Sequence, residues 1–188
     1  MHVPIASRNA TSARLDKQPQ DPGTYVGYCL VEQSEDGSFS GGLLVVTHKG
    51  CPVAFHYTRP ICPDQVQRIL YGAQLEEAVA GDLITASLVS ATKQKLACLL
   101  VSRPACLVVR PATGFPVGCP AALGAPSTSS KHLARVTVAG TAWYVHSDFE
   151  RDAATLAEMV DRMGGIDVAL EPFQRVRLAL DHIHQRAA

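Results

Sequence analysis

The sequence has no apolar run approaching the ~18 residues that cross a bilayer, and no excess charge of either sign, since 17 Lys and Arg balance 17 Asp and Glu. The first absence removes a membrane-spanning helix from the expectation. The second removes the long-range field that gathers a polyanion or an anionic membrane surface, so nucleic-acid binding is disfavoured. The neutral balance leaves little repulsion against other protein subunits or a second copy. No GxSxG elbow, Walker loop or GxGxxG occurs, so hydrolase, NTPase and dinucleotide readings have no motif, and no cofactor is expected. The opening Met1-His2-Val3-Pro4 lacks a basic segment followed by an apolar run, which reads as no secretory signal and a cytoplasmic location.

Six cysteines are present without a CxxC pair. They are diluted through a chain large enough to need no staples, and four sit among apolar residues, where a reduced thiol behaves as a small hydrophobe. Cys51, His56 and Cys62 fall within twelve residues but lack the paired spacing of structural zinc ligands. His182 and His184 are two apart on a helix, about 200° around it, too far to chelate one ion. No metal site is expected.

What is present reads as a single α+β domain. Apolar residues make up 47% of the 188, enough for one sizeable core. Residues 1–23 have hardly any large apolar side chain and read as a flexible leader to a domain over 24–186. Residues 25–32 (YVGYCLVE) form a first strand, and 42–47 with 51–58 form a β-hairpin around His48-Lys49-Gly50. Alternation in 51–58 puts His56 opposite Val53, Phe55 and Tyr57, and Pro52 marks an edge or an unpaired position.

Pro63 and Asp64 start a helix in which Val66, Ile69 and Leu70 share one face, and Gly72 ends it. A second helix covers 75–89. Residues 96–101 and 105–110 are continuous apolar runs and read as interior strands. Residues 111–130, rich in Gly, Pro, Ala and Ser, read as a long loop. A second hairpin spans 135–138 and 141–145. A helix capped by Ser147 or Asp148 runs to Gly164-Gly165, and the last helix begins near Pro172. The sum is a mostly antiparallel sheet of about six or seven strands with four helices, opening β-β-β-α-α-β-β and ending in two helices.

Two sets of residues are candidates for function. Cys62 immediately precedes a helix N-terminus, and His56 lies on the preceding strand, the ingredients of a cysteine nucleophile and its base. Phe55, Tyr57, Arg59, Arg68 and Tyr71 in one stretch, and Phe173, Arg175 and Arg177 in another, combine aromatics with arginines, the residue types that dominate interface hot spots. Arg59, Arg68, Arg175 and Arg177 also define a nucleic-acid face if they lie together.

The order of three antiparallel strands, a helical crossover and an apolar strand resembles ribonuclease-H-like and endonuclease-V-like folds. Those enzymes hold magnesium with carboxylates on the first and fourth strands. Here the first strand carries Tyr28 and Cys29 at its centre and Glu32 only at its end, and 96–102 carries no acid, so the resemblance implies a catalytically silent copy. A roadblock- or profilin-like sandwich, implying a binding scaffold, fits the helices and hairpins equally. Residues 55–72 (FHYTRPICPDQVQRILYG) and 166–180 (IDVALEPFQRVRLAL) are together similar to an uncharacterised bacterial family of multi-gene defence or stress cassettes. That resemblance spans most of 25–186, brings no activity, and implies a subunit. The leading expectation is a noncatalytic interaction subunit of a bacterial multiprotein assembly. The alternatives are a cysteine-dependent enzyme using Cys62 and His56, and a silent ribonuclease-H-like nucleic-acid-binding protein.

Overall fold

A computed structural model describes residues 10–14, 25–126 and 132–185. The domain is α+β, with a mixed sheet between two helical layers. Three strands make the first block: β2 (Tyr25–Gln33), β3 (Phe39–Thr47) and β4 (Pro52–Thr58), each antiparallel to its neighbour. The β3–β4 reversal is the expected hairpin, with Gly50 at φ 75° supplying the left-handed turn position. Pro52 pairs with Val46 where the register shifts, a bulge that tolerates its missing N–H.

Between β4 and the next strand the chain is helical: α1 (Gln65–Tyr71), a π-helical segment Glu77–Thr85, and α2 (Ala86–Ala91). It returns as β5 (Leu96–Val101), parallel to β2. A 3-10 segment, Pro104–Ala112, then leads to β6 (Val117–Pro120), parallel to β5. The second expected hairpin is β7 (Leu133–Val138) with β8 (Thr141–His146), turning through Ala139 and Gly140, both at positive φ. Two helices close the fold, α3 (Asp152–Met163) and α4 (Ile166–Gln185). With β1 (Ala10–Arg14) on the edge of β4, the strand order is β1-β4-β3-β2-β5-β6-β8-β7, in which five pairings are antiparallel and two parallel.

The period-two alternation of β2 shows how one strand serves two cores. Val26, Tyr28 and Leu30 point to the side covered by α3 and α4, where they meet Val160, Phe173, Val176 and Leu180. Cys29 and Val31 point to the other side, under Val79, Ile84 and Leu88 of the π-helix and α2 and beside Cys106 and Leu107 of the 3-10 segment. A central strand buried on both faces reads as continuous apolar sequence.

Several expectations are corrected. Residues 105–110, read as a strand, form the 3-10 segment, because Pro104 and Pro111 deny the run a ladder and Cys106, Leu107 and Val109 reach the core from one side. Two strands escaped the sequence reading. β6, inside the supposed 111–130 loop, is only the four buried residues Val117–Pro120, and β1, inside the supposed leader, pairs through its backbone. The remainder of residues 1–23, and 127–131 of the loop, lie outside the described residues. The helix expected over 75–89 is π-helical through its first half, where Gly81 lies so close to the 3-10 segment that a Cβ would sit 2.7 Å from the Ala105 carbonyl oxygen. The last helix starts at Ile166 rather than near Pro172, because Ala169 is buried and Ile166 and Leu170 pack on the core, so Pro172 is carried inside it.

Candidate functional site

The segment from β4 into α1 holds most of the residues singled out above. Its backbone is anchored by a bridge in which Phe39 and Ile61 exchange N–H···O bonds of 2.8 and 2.7 Å. Asp64 then caps α1: its carboxylate accepts from the Gln67 N–H at 2.7 Å, and the Gln67 side chain accepts from the Asp64 N–H at 2.9 Å, a complete capping box. Arg68 does not face outward as a recognition residue. Its Nε donates to the Pro63 carbonyl at 3.0 Å and its Nη2 to the Gly37 carbonyl at 3.1 Å, stapling the helix to the β2–β3 turn.

No side chain of α1 is buried. Val66, Ile69 and Leu70, at i, i+3 and i+4, are 62%, 69% and 73% exposed, and Tyr71 beside them is 38% exposed. The face that these three residues share points to solvent. Of the other candidates, Arg59 and Cys62 are exposed, while Phe55 is buried in the core and stacks on the half-buried Tyr57 at 6.1 Å. Phe173 is also core, edge-on to Tyr28 at 5.3 Å. Arg175 donates to the Gly50 carbonyl at 2.9 Å and pairs with Glu171 at 2.8 Å, and Arg177 pairs with Glu32 at 2.7 Å, so both tie α4 to the sheet and its turns.

The cysteine–histidine pair is not assembled. His56 is 4% exposed, and neither imidazole nitrogen has a hydrogen-bond partner, the Cys62 thiol included. It faces the α2 side, opposite Leu43 on β3, and burial pulls its pKa below the usual histidine value. The buried thiols are further from thiolate chemistry: burial pushes Cys106 up to about 11 and Cys98 up to about 12, and raises Cys29 and Cys119 as well.

A second feature lay beyond the sequence reading. A cleft of about 590 Å³ opens at the carboxyl ends of the adjacent parallel strands β2 and β5, where α4 crosses them. Its walls are two ion pairs, Arg103–Glu76 and Arg177–Glu32, both 2.7 Å. Arg103 also donates to the Val31 carbonyl at 2.9 Å, and Ser102 accepts from the Val31 N–H at 3.0 Å, so the end of β5 is built to hold β2. Asp181 and His184 of α4 complete the rim. Among the described residues no three His, Cys, Asp or Glu side chains are grouped to hold a metal ion, and no helix is long and apolar enough to cross a membrane.

A third cluster is structural. Arg110 donates to both carboxylate oxygens of Asp152 and lies 4.0 Å from the centre of the Phe149 ring, and Asp152 also accepts from the Val117 N–H at 3.3 Å. His146 stacks on His132 at 5.4 Å and meets Phe149 edge-on.

No protein-family model matches the chain, and no curated protein matches it either. The surface of α1 and the cleft are therefore read from their own geometry.

Proposed function

We propose that this protein is a noncatalytic interaction subunit of a bacterial multiprotein assembly, working in the cytoplasm. The observation that carries the reading is the outward apolar face of α1. A seven-residue helix gains almost nothing from helix propensity alone, and its Val66, Ile69 and Leu70 leave 62%, 69% and 73% of their surface to solvent. Contiguous exposed apolar patches of this kind mark interaction sites on folded proteins. The neutral net charge favours protein partners over polyanions, and the candidate nucleophile and base are kept apart. Purification from the native host at natural abundance and mild salt tests it: stable co-purifying subunits are expected, and recovery as a lone monomer refutes it.

A second reading, a catalytically silent ribonuclease-H-like nucleic-acid-binding protein, is favoured by the order β4-β3-β2-β5-β6. This order sets three antiparallel strands beside two parallel ones and opens a cleft at the carboxyl ends of β2 and β5. Its silence would follow from the residues there, since Glu32 is paired with Arg177 and β5 leads into Ser102 and Arg103 with no acid. Absence of a salt-dependent mobility shift with RNA or DNA at low ionic strength disposes of it.

A further inference from the structure

We infer that α1 is a ligand helix: it inserts its Val66, Ile69 and Leu70 face into an apolar groove of a partner protein whose rim is acidic opposite Arg59. This rests on the interaction-subunit reading and adds to it the surface, the mode and the chemistry of the partner.

The mode follows from how α1 is held. Among the described residues, the hydrogen bonds that hold it lie at its N-terminal end or on Arg68: the bridge between Phe39 and Ile61 beside the buried Pro63, the capping box of Asp64 and Gln67, and the guanidinium bonds to the Pro63 and Gly37 carbonyls. None uses the apolar face. The helix is therefore set in place before any partner arrives, with its side chains already ordered in the i, i+3, i+4 pattern that helix-in-groove recognition reads. Preorganisation of this kind lowers the ordering cost that a disordered segment meets on binding.

The occupant follows from size and charge. Val66, Ile69, Leu70 and Tyr71 together leave roughly 450 Å² exposed, within the about 300–600 Å² of the largest patch on a typical monomer. A standard stable interface buries about 800 Å² on each partner. Two copies meeting through this face alone reach about half of that, so a second copy is a poor occupant. A groove encloses the helix flanks, Gln65 and Gln67, as well as its face, and so buries more of the helix than a flat pairing of two copies does. A lipid surface is disfavoured because the one cation of the helix, Arg68, is committed to backbone carbonyls, which leaves Arg59 alone where a membrane-surface helix presents several cations. Arg59 starts the link into α1, is exposed, and makes no ion pair among the described residues, so a carboxylate on the groove's rim is its complement.

The experiment places a photo-crosslinking amino acid, one at a time, at positions 59, 66 and 70 of the full chain in its native host, with position 137 on β7 as a remote control. Adducts are identified and mapped by mass spectrometry. The expected result is one identified polypeptide reached from 66 and 70 through aliphatic or aromatic residues and from 59 through an Asp- or Glu-bearing peptide. The double variant Ile69→Ser/Leu70→Ser should lower the adduct from position 59 at least tenfold while its urea midpoint stays unchanged. Adducts from 66 and 70 to a second copy of this chain or to lipid overturn the inference, as does an undiminished adduct in the double variant. A partner captured only from 137 overturns it while leaving the subunit reading intact, and no adduct from any position removes both.

Discussion

Replacing His56 by Leu should stabilise this protein, against the usual direction of core substitutions. The imidazole is 4% exposed on the α2 side of β4, and both nitrogens lack a partner. Keeping one neutral polar group buried without a hydrogen bond costs about 1–3 kcal/mol. A leucine of similar volume meets Leu43 across the ladder and removes that cost, leaving a net gain of about 1–2 kcal/mol after small packing losses. For a chain of 188 residues that gain raises Tm by about 2–8 °C.

The pH dependence supplies a second readout of His56. Burial lowers its folded pKa, so as pH falls below about 6.5 the unfolded chain takes up the proton first. Stability present above that pH is then lost on acidification, at up to about 1.4 kcal/mol per pH unit until the folded pKa is reached. The Leu variant should lose that share of the slope. It should keep the share from His146, whose pKa burial also lowers. Urea unfolding followed through the fully buried Trp143 at pH 7.5 and 5.5 measures both effects. A variant less stable than the parent at pH 7.5, with an unchanged pH slope, would refute the reasoning, because the imidazole would then be satisfied in solution.

Other expectations follow from the same geometry. Asp152→Ala should cost about 3–5 kcal/mol in urea unfolding, because it strands the Arg110 guanidinium where little water reaches. Replacing both partners, Arg110→Met with Asp152→Leu, should recover most of that loss. Gly81→Ala should destabilise by about 1–2 kcal/mol, since the better helix propensity of Ala does not offset the clash with the Ala105 carbonyl. Under limiting iodoacetamide, Cys51 and Cys62 should alkylate at similar rates, and Cys29, Cys98, Cys106 and Cys119 only on unfolding. A Cys62 that outpaces Cys51 by tenfold or more would reopen the nucleophile reading.

Local chemistry was legible in the sequence wherever a residue type permits few conformations. Gly50 and the Ala139-Gly140 pair announced their hairpins, Gly164 ended α3 at φ 101°, and the β-formers of 25–32 marked the strand that the structure buries on both faces. Tertiary structure decided what local pattern leaves degenerate. The apolar run 105–110 suits a strand or a compact helix alike, and its contacts with the π-helix and the core chose the 3-10 form. Val66, Ile69 and Leu70 have the spacing of any core helix, and only the path of the chain turned them outward. Phe55, Phe173, Arg68, Arg175 and Arg177 carry a hot-spot composition, yet two fill the core and three bind backbone or carboxylates of neighbouring segments. The cleft at the ends of β2 and β5 draws on segments far apart in the chain, so no window of sequence contains it. Composition and periodicity set which elements form, because they act through neighbours along the chain; which face meets water is settled by partners that sequence distance does not reveal.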